Sequence, residues 1–64
     1  MRPRRDITER DADSWAAELS DYSLADYLRV LTGRPRDLPT AARNAVMREA
    51  SERLLAFAET KKES

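Results

Sequence analysis

The chain has 64 residues and a mass of 7.3 kDa, which is enough for one small domain and too little for a second. It contains no cysteine and no histidine. Disulfide bonds, thiol nucleophiles, imidazole bases and Cys/His sites for zinc, haem or iron–sulfur clusters are therefore excluded. Its 12 Lys+Arg balance its 12 Asp+Glu, so the molecule as a whole exerts no net attraction on phosphate groups.

Composition also sets the expected compartment and source. Residues 1–5 are basic, but no apolar segment follows them, and no apolar run approaches the roughly 20 residues that span a membrane. We therefore expect a cytoplasmic protein with no membrane association, no metal and no cofactor. Arginine outnumbers lysine ten to two, and alanine also occurs ten times. This bias is typical of a GC-rich genome and suits an actinobacterial or phage accessory protein.

The first predicted helix covers about residues 9–20. Thr8 is its expected N-cap, and Asp11 lies three residues later, as in a capping box. The apolar residues of this segment recur every three or four positions, which is helical spacing. They are Ala12, Trp15, Ala16 and Leu19.

The second predicted helix covers about residues 24–32. Ser23 and Asp26 repeat the capping pattern at its start. Gly33 is expected to end the helix in a left-handed conformation, and Pro35 prevents its continuation. Its apolar face consists of Leu24, Tyr27, Leu28 and Leu31.

The third predicted helix is the longest and covers about residues 39–59, with Pro39 at its first position. Two i,i+4 ion pairs are expected on its surface, Arg48–Glu52 and Glu49–Arg53. Its apolar face consists of Val46, Met47, Ala50, Leu54, Phe57 and Ala58.

These elements predict an all-α fold, a small three-helix domain with two short helices and one longer C-terminal helix. No segment alternates with the period of two that a strand requires. Residues 1–7 are expected to form a basic flexible arm, residues 8–60 the helical domain, and residues 61–64 a frayed polar tail. Short connections favour antiparallel neighbours. The large apolar residues predicted to point inward are Trp15, Leu19, Leu28, Leu31, Val46, Met47, Leu54 and Phe57.

Charge is divided along the chain although the total is zero. Residues 6–26 contain seven acidic residues and one arginine, a net charge of −6. Residues 29–48 contain five arginines and one aspartate, a net charge of +4. Either the two segments neutralise each other within one bundle, or they dock on a charged partner or on a second copy.

The main functional prediction is a non-catalytic helical module that binds another protein. The acidic residues lie in first turns and on exposed faces, where they complement helix dipoles and do not form a catalytic pair. A core of this size rarely provides more than about 3–5 kcal/mol of stability, which favours a partner. The candidate contact residues are Trp15, Tyr22, Tyr27, Val30, Arg34, Arg36 and Leu55. Met47, Ala50, Leu54 and Phe57 form a partial heptad, so a homo-oligomer, with a homodimer as its simplest form, is a further alternative.

The remaining alternative is a small DNA-binding regulator. The runs Arg2-Pro3-Arg4-Arg5 and Gly33-Arg34-Pro35-Arg36 resemble pieces of the AT-hook, whose Arg-Gly-Arg-Pro core lies in the minor groove. The resemblance covers about four residues in each run, and Thr32 stands where the AT-hook has arginine. A helix-turn-helix formed by the first two helices would place acidic Asp26 at the reading end. The candidate nucleic-acid contacts are Arg2, Arg4, Arg5, Arg34 and Arg36.

Overall fold

The structure is a computed structural model that describes residues 3–62. Within this range the chain forms three α-helices and one short 3-10 turn. The helices are α1 (Glu9–Glu18), α2 (Asp21–Gly33) and α3 (Thr40–Lys62), and the turn covers Pro35–Asp37. These residues contain no β-strand, so the predicted all-α fold with two shorter helices and a longer C-terminal one is confirmed.

Helix α1 begins where the sequence predicts and ends two residues early. Its start is fixed by Thr8, whose Oγ1 accepts a hydrogen bond from the Asp11 N–H at 3.2 Å. Its end is at Glu18 because Leu19 adopts an extended backbone, with ψ of 139°. The connection to α2 therefore has two residues, Leu19 and Ser20, which is shorter than the turn of a helix-turn-helix motif.

Helix α2 begins three residues earlier than predicted because a different serine caps it. Ser20, and not Ser23, is the N-cap, and its Oγ accepts a hydrogen bond from the Ser23 N–H at 3.2 Å. This cap draws Asp21 into the first turn, where the helix dipole favours a negative charge. The prediction of a capping pair formed by Ser23 and Asp26 is therefore wrong.

The end of α2 differs from the predicted glycine stop. Gly33 is the last helical residue, and its φ is not positive. The helix ends at Arg34, which has φ of −138° and whose N–H donates to the Val30 carbonyl at 2.6 Å. The residue before a proline is pushed out of the helical region, so Pro35 stops α2 through Arg34 without a left-handed glycine.

Helix α3 begins one residue later and continues further than predicted. The Arg43 N–H donates to the Pro39 carbonyl at 2.9 Å, so Pro39 immediately precedes the first helical residue, Thr40. The helix continues through Lys62, so the predicted frayed tail is helical as far as the structure describes it. Glu63 and Ser64 lie outside the described residues.

Contacts between the helices define how they are arranged. Helices α1 and α3 form the most extensive pair. They run in the same direction, because Asp13 contacts Arg48 and Leu19 contacts Arg53. Helix α2 starts beside Arg53 and ends at the turn that leads into α3, so it runs antiparallel to α3. The shortest connection thus joins α1 to α2, whereas the main neighbour of α1 is α3.

The core is small and rich in alanine. Helices α1 and α3 each contribute two of its four alanines, so their backbones can approach closely and pack densely. Trp15 closes the core on the α2 side, where its ring meets Tyr27 edge to face with centroids 5.0 Å apart. The buried residues are Ala12, Trp15, Ala16, Leu24, Leu38, Ala42, Ala45 and Val46.

Three large residues predicted to point inward are exposed instead. Met47, Leu54 and Phe57 are 57%, 68% and 60% exposed. For Leu54 and Phe57 the reason is length, because α3 has 23 residues whereas α1 has 10 and α2 has 13. The two shorter helices cover only part of α3. Met47 lies before Arg53, within the covered part of α3, so length does not explain its exposure. Leu19, Leu28 and Leu31 are half-buried and pack against the core.

The N-terminal segment packs on the bundle through Ile7. Ile7 is half-buried and packs on the core, and its N–H donates to the Arg4 carbonyl at 3.2 Å. Residues 4–6 of the predicted arm are exposed, and Met1 and Arg2 lie outside the described residues. In the described part of the chain, every helix is too short or too polar to cross a lipid bilayer.

Dense packing at the alanine positions gives a direct test of the core. Ala42 has no exposed surface, whereas Ala56 is exposed on the same helix. We expect Ala42→Leu to lower the free energy of unfolding by about 1–3 kcal/mol because it overpacks the core. Ala56→Leu, the matched control, should change it by less than about 0.5 kcal/mol. Urea unfolding followed by circular dichroism measures both, and equal losses would contradict this packing.

Candidate protein-interaction surface

Arg53 joins all three helices through one guanidinium group. Its Nη2 donates to the Leu19 carbonyl at 2.6 Å, and its Nη1 donates to Asp21 Oδ1 at 2.8 Å. Its Nε donates to Glu49 Oε2 at 2.9 Å, which confirms the predicted i,i+4 pair. The Nη2 atom also lies 3.4 Å from the Ala17 carbonyl. The group thus binds the end of α1, the start of α2 and its own helix.

The position of the Arg53 guanidinium at the end of α1 has an electrostatic cause. The last carbonyl groups of a helix have no partner within the helix and carry partial negative charge, so a cation near them is stabilising. The hydrogen bond to Glu49 raises the pKa of Arg53, and the bond to Asp21 adds to this effect. A raised pKa in the folded state contributes stability that is present at every pH below the ordinary arginine value. Arg53 therefore makes these contacts as a charged group at every pH below that value.

A shallow groove lies beside Arg53 between α2 and α3. Its lining includes the small side chains of Ala25 and Ala50 and the charged residues Asp21 and Arg53. The apolar residues that line it are Leu24, Ala25, Leu28, Ala50, Leu54 and Phe57. Small side chains in the lining let the backbone of another helix approach closely.

The groove shares Ala50, Leu54 and Phe57 with an apolar row that we call the α3 stripe, formed by Met47, Ala50, Leu54 and Phe57. Ala50 is half-buried and the other three are exposed. The spacing of three, four and three residues places these side chains on one face of the helix. Lys61 follows one turn after Phe57, and its Nζ lies 5.4 Å from the centre of the Phe57 ring. The stripe therefore ends at a positive charge.

The sequence-predicted contact residues divide into two groups. Trp15 is a core residue and not an exposed anchor, and Tyr27 and Val30 are half-buried against the core. Tyr22 and Leu55 are exposed by 87% and 63%. Leu55 follows Leu54 of the α3 stripe, whereas Tyr22 is not among the residues that line the groove.

Two of the arginine candidates, Arg5 and Arg36, lie close together at the opposite end of the bundle. Arg34 and Arg36 are exposed, and Arg5 and Arg36 line the same cavity, next to Thr40 at the start of α3. Arg4 is exposed, and Arg2 lies outside the described residues. The structure therefore brings the two arginine-rich runs together, and we call Arg5 and Arg36 the basic end. Asp37 lines the same cavity.

One ion pair joins the acidic segment 6–26 to the basic segment 29–48. Arg48 Nη2 lies 2.6 Å from Asp13 Oδ1, so Arg48 reaches across to α1 instead of pairing with Glu52 on its own helix. The hydrogen bond to Asp13 raises the pKa of Arg48. The two segments thus neutralise each other at this point, while acidic Asp26 and basic Arg36 face solvent.

Sequence reasoning missed the exposure of Leu54 and Phe57 and the role of Arg53. A signal for the exposure was present in the predicted lengths. A helix of about 20 residues spans about 30 Å, whereas helices of 9–12 residues span about 14–18 Å. Two such helices cannot cover its full length. No local pattern distinguishes Arg53, because its contacts on Leu19 and Asp21 are distant in sequence.

Within residues 3–62, no cluster of three or more acidic side chains is arranged to hold a metal ion. No protein-family model matches the chain, and no curated protein or solved structure matches it either. Function is therefore inferred from the surface itself.

The contacts of Arg53 predict an unequal response to two similar substitutions. Arg53→Ala removes the charged donor from the end of α1 and from Asp21, and we expect unfolding free energy to fall by about 1–2 kcal/mol. For a domain of this size that corresponds to a melting temperature lower by about 4–16 °C. Arg48→Ala, the control, removes an exposed ion pair and should have a smaller effect. Thermal unfolding compares them, and an equal or larger loss for Arg48→Ala would contradict the role of Arg53.

Proposed function

We propose that this chain is a non-catalytic helical module that binds a helix of another polypeptide chain through the α3 stripe and the adjoining groove. One observation carries the proposal. Three large apolar side chains, Met47, Leu54 and Phe57, lie in a row on one helix face and are each more than half exposed. Contiguous apolar surface of this kind is uncommon on monomeric proteins and marks interaction sites.

The energetics favour covering this surface. Full burial of a Leu, Met or Phe side chain is worth about 1.5–3 kcal/mol relative to its exposed state. The α3 stripe offers three such side chains at i, i+7 and i+10, and the lining of the groove beside it includes the small residues Ala25 and Ala50. This combination suits an amphipathic helix as the partner, because the apolar face of a helix fits a groove between two others.

The chemistry of the chain supports a binding role over catalysis. The sequence lacks histidine and cysteine, which supply most general bases and thiol nucleophiles. The described lysine at the end of the stripe, Lys61, is exposed and stacks on Phe57. An exposed lysine of this kind differs from catalytic lysines, which are desolvated in apolar pockets.

Site-specific photo-crosslinking tests the proposed face. A photoreactive residue is placed at Leu54 or, as the control, at Ala56, which is also exposed but lies about 160° around the same helix. In cells of the native host, we expect a discrete covalent adduct from position 54 and none from position 56. The α3 stripe faces the partner in this proposal, and position 56 does not.

Mass spectrometry then identifies the second chain in the adduct. Loss of the adduct when Phe57→Glu is added on the same face supports the proposal, because the charge must leave water if the partner binds. Adducts of equal yield from both positions, or none from either, would overturn it.

A second candidate function, nucleic-acid binding, is favoured by the basic end. Arg5 and Arg36 converge on one cavity although they are distant in sequence. Arginine side chains on phosphate make affinity depend steeply on salt. This candidate therefore predicts duplex DNA binding that weakens with added salt.

Fluorescence anisotropy with duplex DNA decides the second candidate. Arg36→Ala should weaken binding and reduce the slope of log affinity against log salt by about 1. Arg29→Ala, the control, removes an exposed arginine on α2 outside the basic end and should leave the slope unchanged. Absence of binding at low salt removes this candidate.

A further inference from the structure

We propose that the partner helix is α3 of a second copy of this chain, and that two copies pair antiparallel along the α3 stripe with Leu54 near the twofold axis. This inference rests on the proposed function and names its partner. It follows from where α3 projects, from the shape of the groove and from the charges beside it.

The projection of α3 provides the geometric reason. Helix α1 ends where Leu19 contacts Arg53, so the last nine residues of α3, 54–62, continue beyond it. That segment is about 13 Å long, and the stretch from Ala50 to Phe57 that lines the groove is about 10 Å long. In an antiparallel pair, the projecting segment of each copy lies over the groove of the other.

The shape of the groove agrees with this register. A twofold axis at Leu54 places Phe57 of each copy at the level of residues 50–51 of the other. The large ring then faces the small side chain of Ala50, with Ala25 on the neighbouring helix. Alternation of large and small residues across facing positions is how helices interdigitate.

Charge favours the antiparallel direction. The net charge of the chain is zero, so two copies do not repel each other through their overall fields. A parallel pair would place the two Lys61 side chains side by side. The antiparallel pair separates them by about 21 Å along the axis, well beyond the screening length of about 8–10 Å.

The composition of the core favours a second copy, rather than an unrelated chain, as the partner of the α3 stripe. Half of the buried core residues are alanine, and among the described large apolar side chains of α3 only Val46 is buried, whereas Met47, Leu54, Leu55 and Phe57 are exposed. A twofold contact covers the stripe of both copies in one event, because the same patch serves on both sides. One sequence then supplies both complementary faces without a second gene product.

Sedimentation equilibrium of the full chain tests the pairing. Over about 1–500 µM, the unchanged protein should approach twice its mass of 7.3 kDa. Leu54→Glu should give a monomer and raise the dissociation constant at least about 10-fold, because two carboxylates would meet at the axis. Ala56→Glu, the matched control on the other side of α3, should remain dimeric. Leu54 is exposed within one copy, so circular dichroism should be the same for the two variants.

A charge-swap experiment tests the register. Leu54→Lys should also be monomeric alone, and an equimolar mixture with Leu54→Glu should restore the dimer, because residue 54 faces itself across the axis. A monomeric unchanged protein, a Leu54→Glu variant as dimeric as the control, or a mixture that stays monomeric would each overturn the pairing. If the chain is monomeric but position 54 crosslinks to a different protein, this inference fails and the proposed function stands. If position 54 gives no adduct at all, both fail.

Discussion

The guanidinium group of Arg53 is the contact on which the helix arrangement depends. It binds the Leu19 carbonyl, Asp21 and Glu49 within 2.6–2.9 Å, so the end of α1, the start of α2 and the middle of α3 meet at one charge. The two-residue connection between α1 and α2 leaves terminal carbonyl groups that need a donor. A cation held by α3 supplies it at the point where α1 ends and α2 begins.

Arg53 divides α3 into a packed half before it and a free half after it, and the two halves have different environments. Before Arg53, the residues facing α1 are small, and Ala42 and Ala45 are buried against it. After Arg53, residues 54–61 are all exposed. A small domain has a high ratio of surface to volume, and alanine occupies half of the buried core positions in this chain. Two of the large apolar side chains of the candidate surface, Leu54 and Phe57, lie on this free half of α3.

Local signals in the sequence predicted part of this structure well. The Thr8 cap, the three helices and the Glu49–Arg53 pair involve residues close in sequence, and the structure confirms them. Competition between two overlapping serine caps moved the start of α2, because each cap is plausible alone and the connection to α1 decides between them. The exposure of Leu54 and Phe57 was missed for another reason. Helical periodicity identifies which face of a helix is apolar, and it carries no information on how far the neighbouring helices extend.

The apolar face of α3 is therefore set by the sequence of that helix, whereas the burial of this face depends on what packs against it. Residues 54–61 at the free end of α3 are exposed, and a segment of this length is too short to be a stable helix by itself. It extends as a continuation of the packed half, which already supplies a helical nucleus. Lys61 on Phe57 contributes a local contact one turn before the end of the described helix. A partner that covers Leu54 and Phe57 would add tertiary stabilisation to a segment whose side chains are exposed in the single chain, so binding would be expected to favour the helical order of this segment.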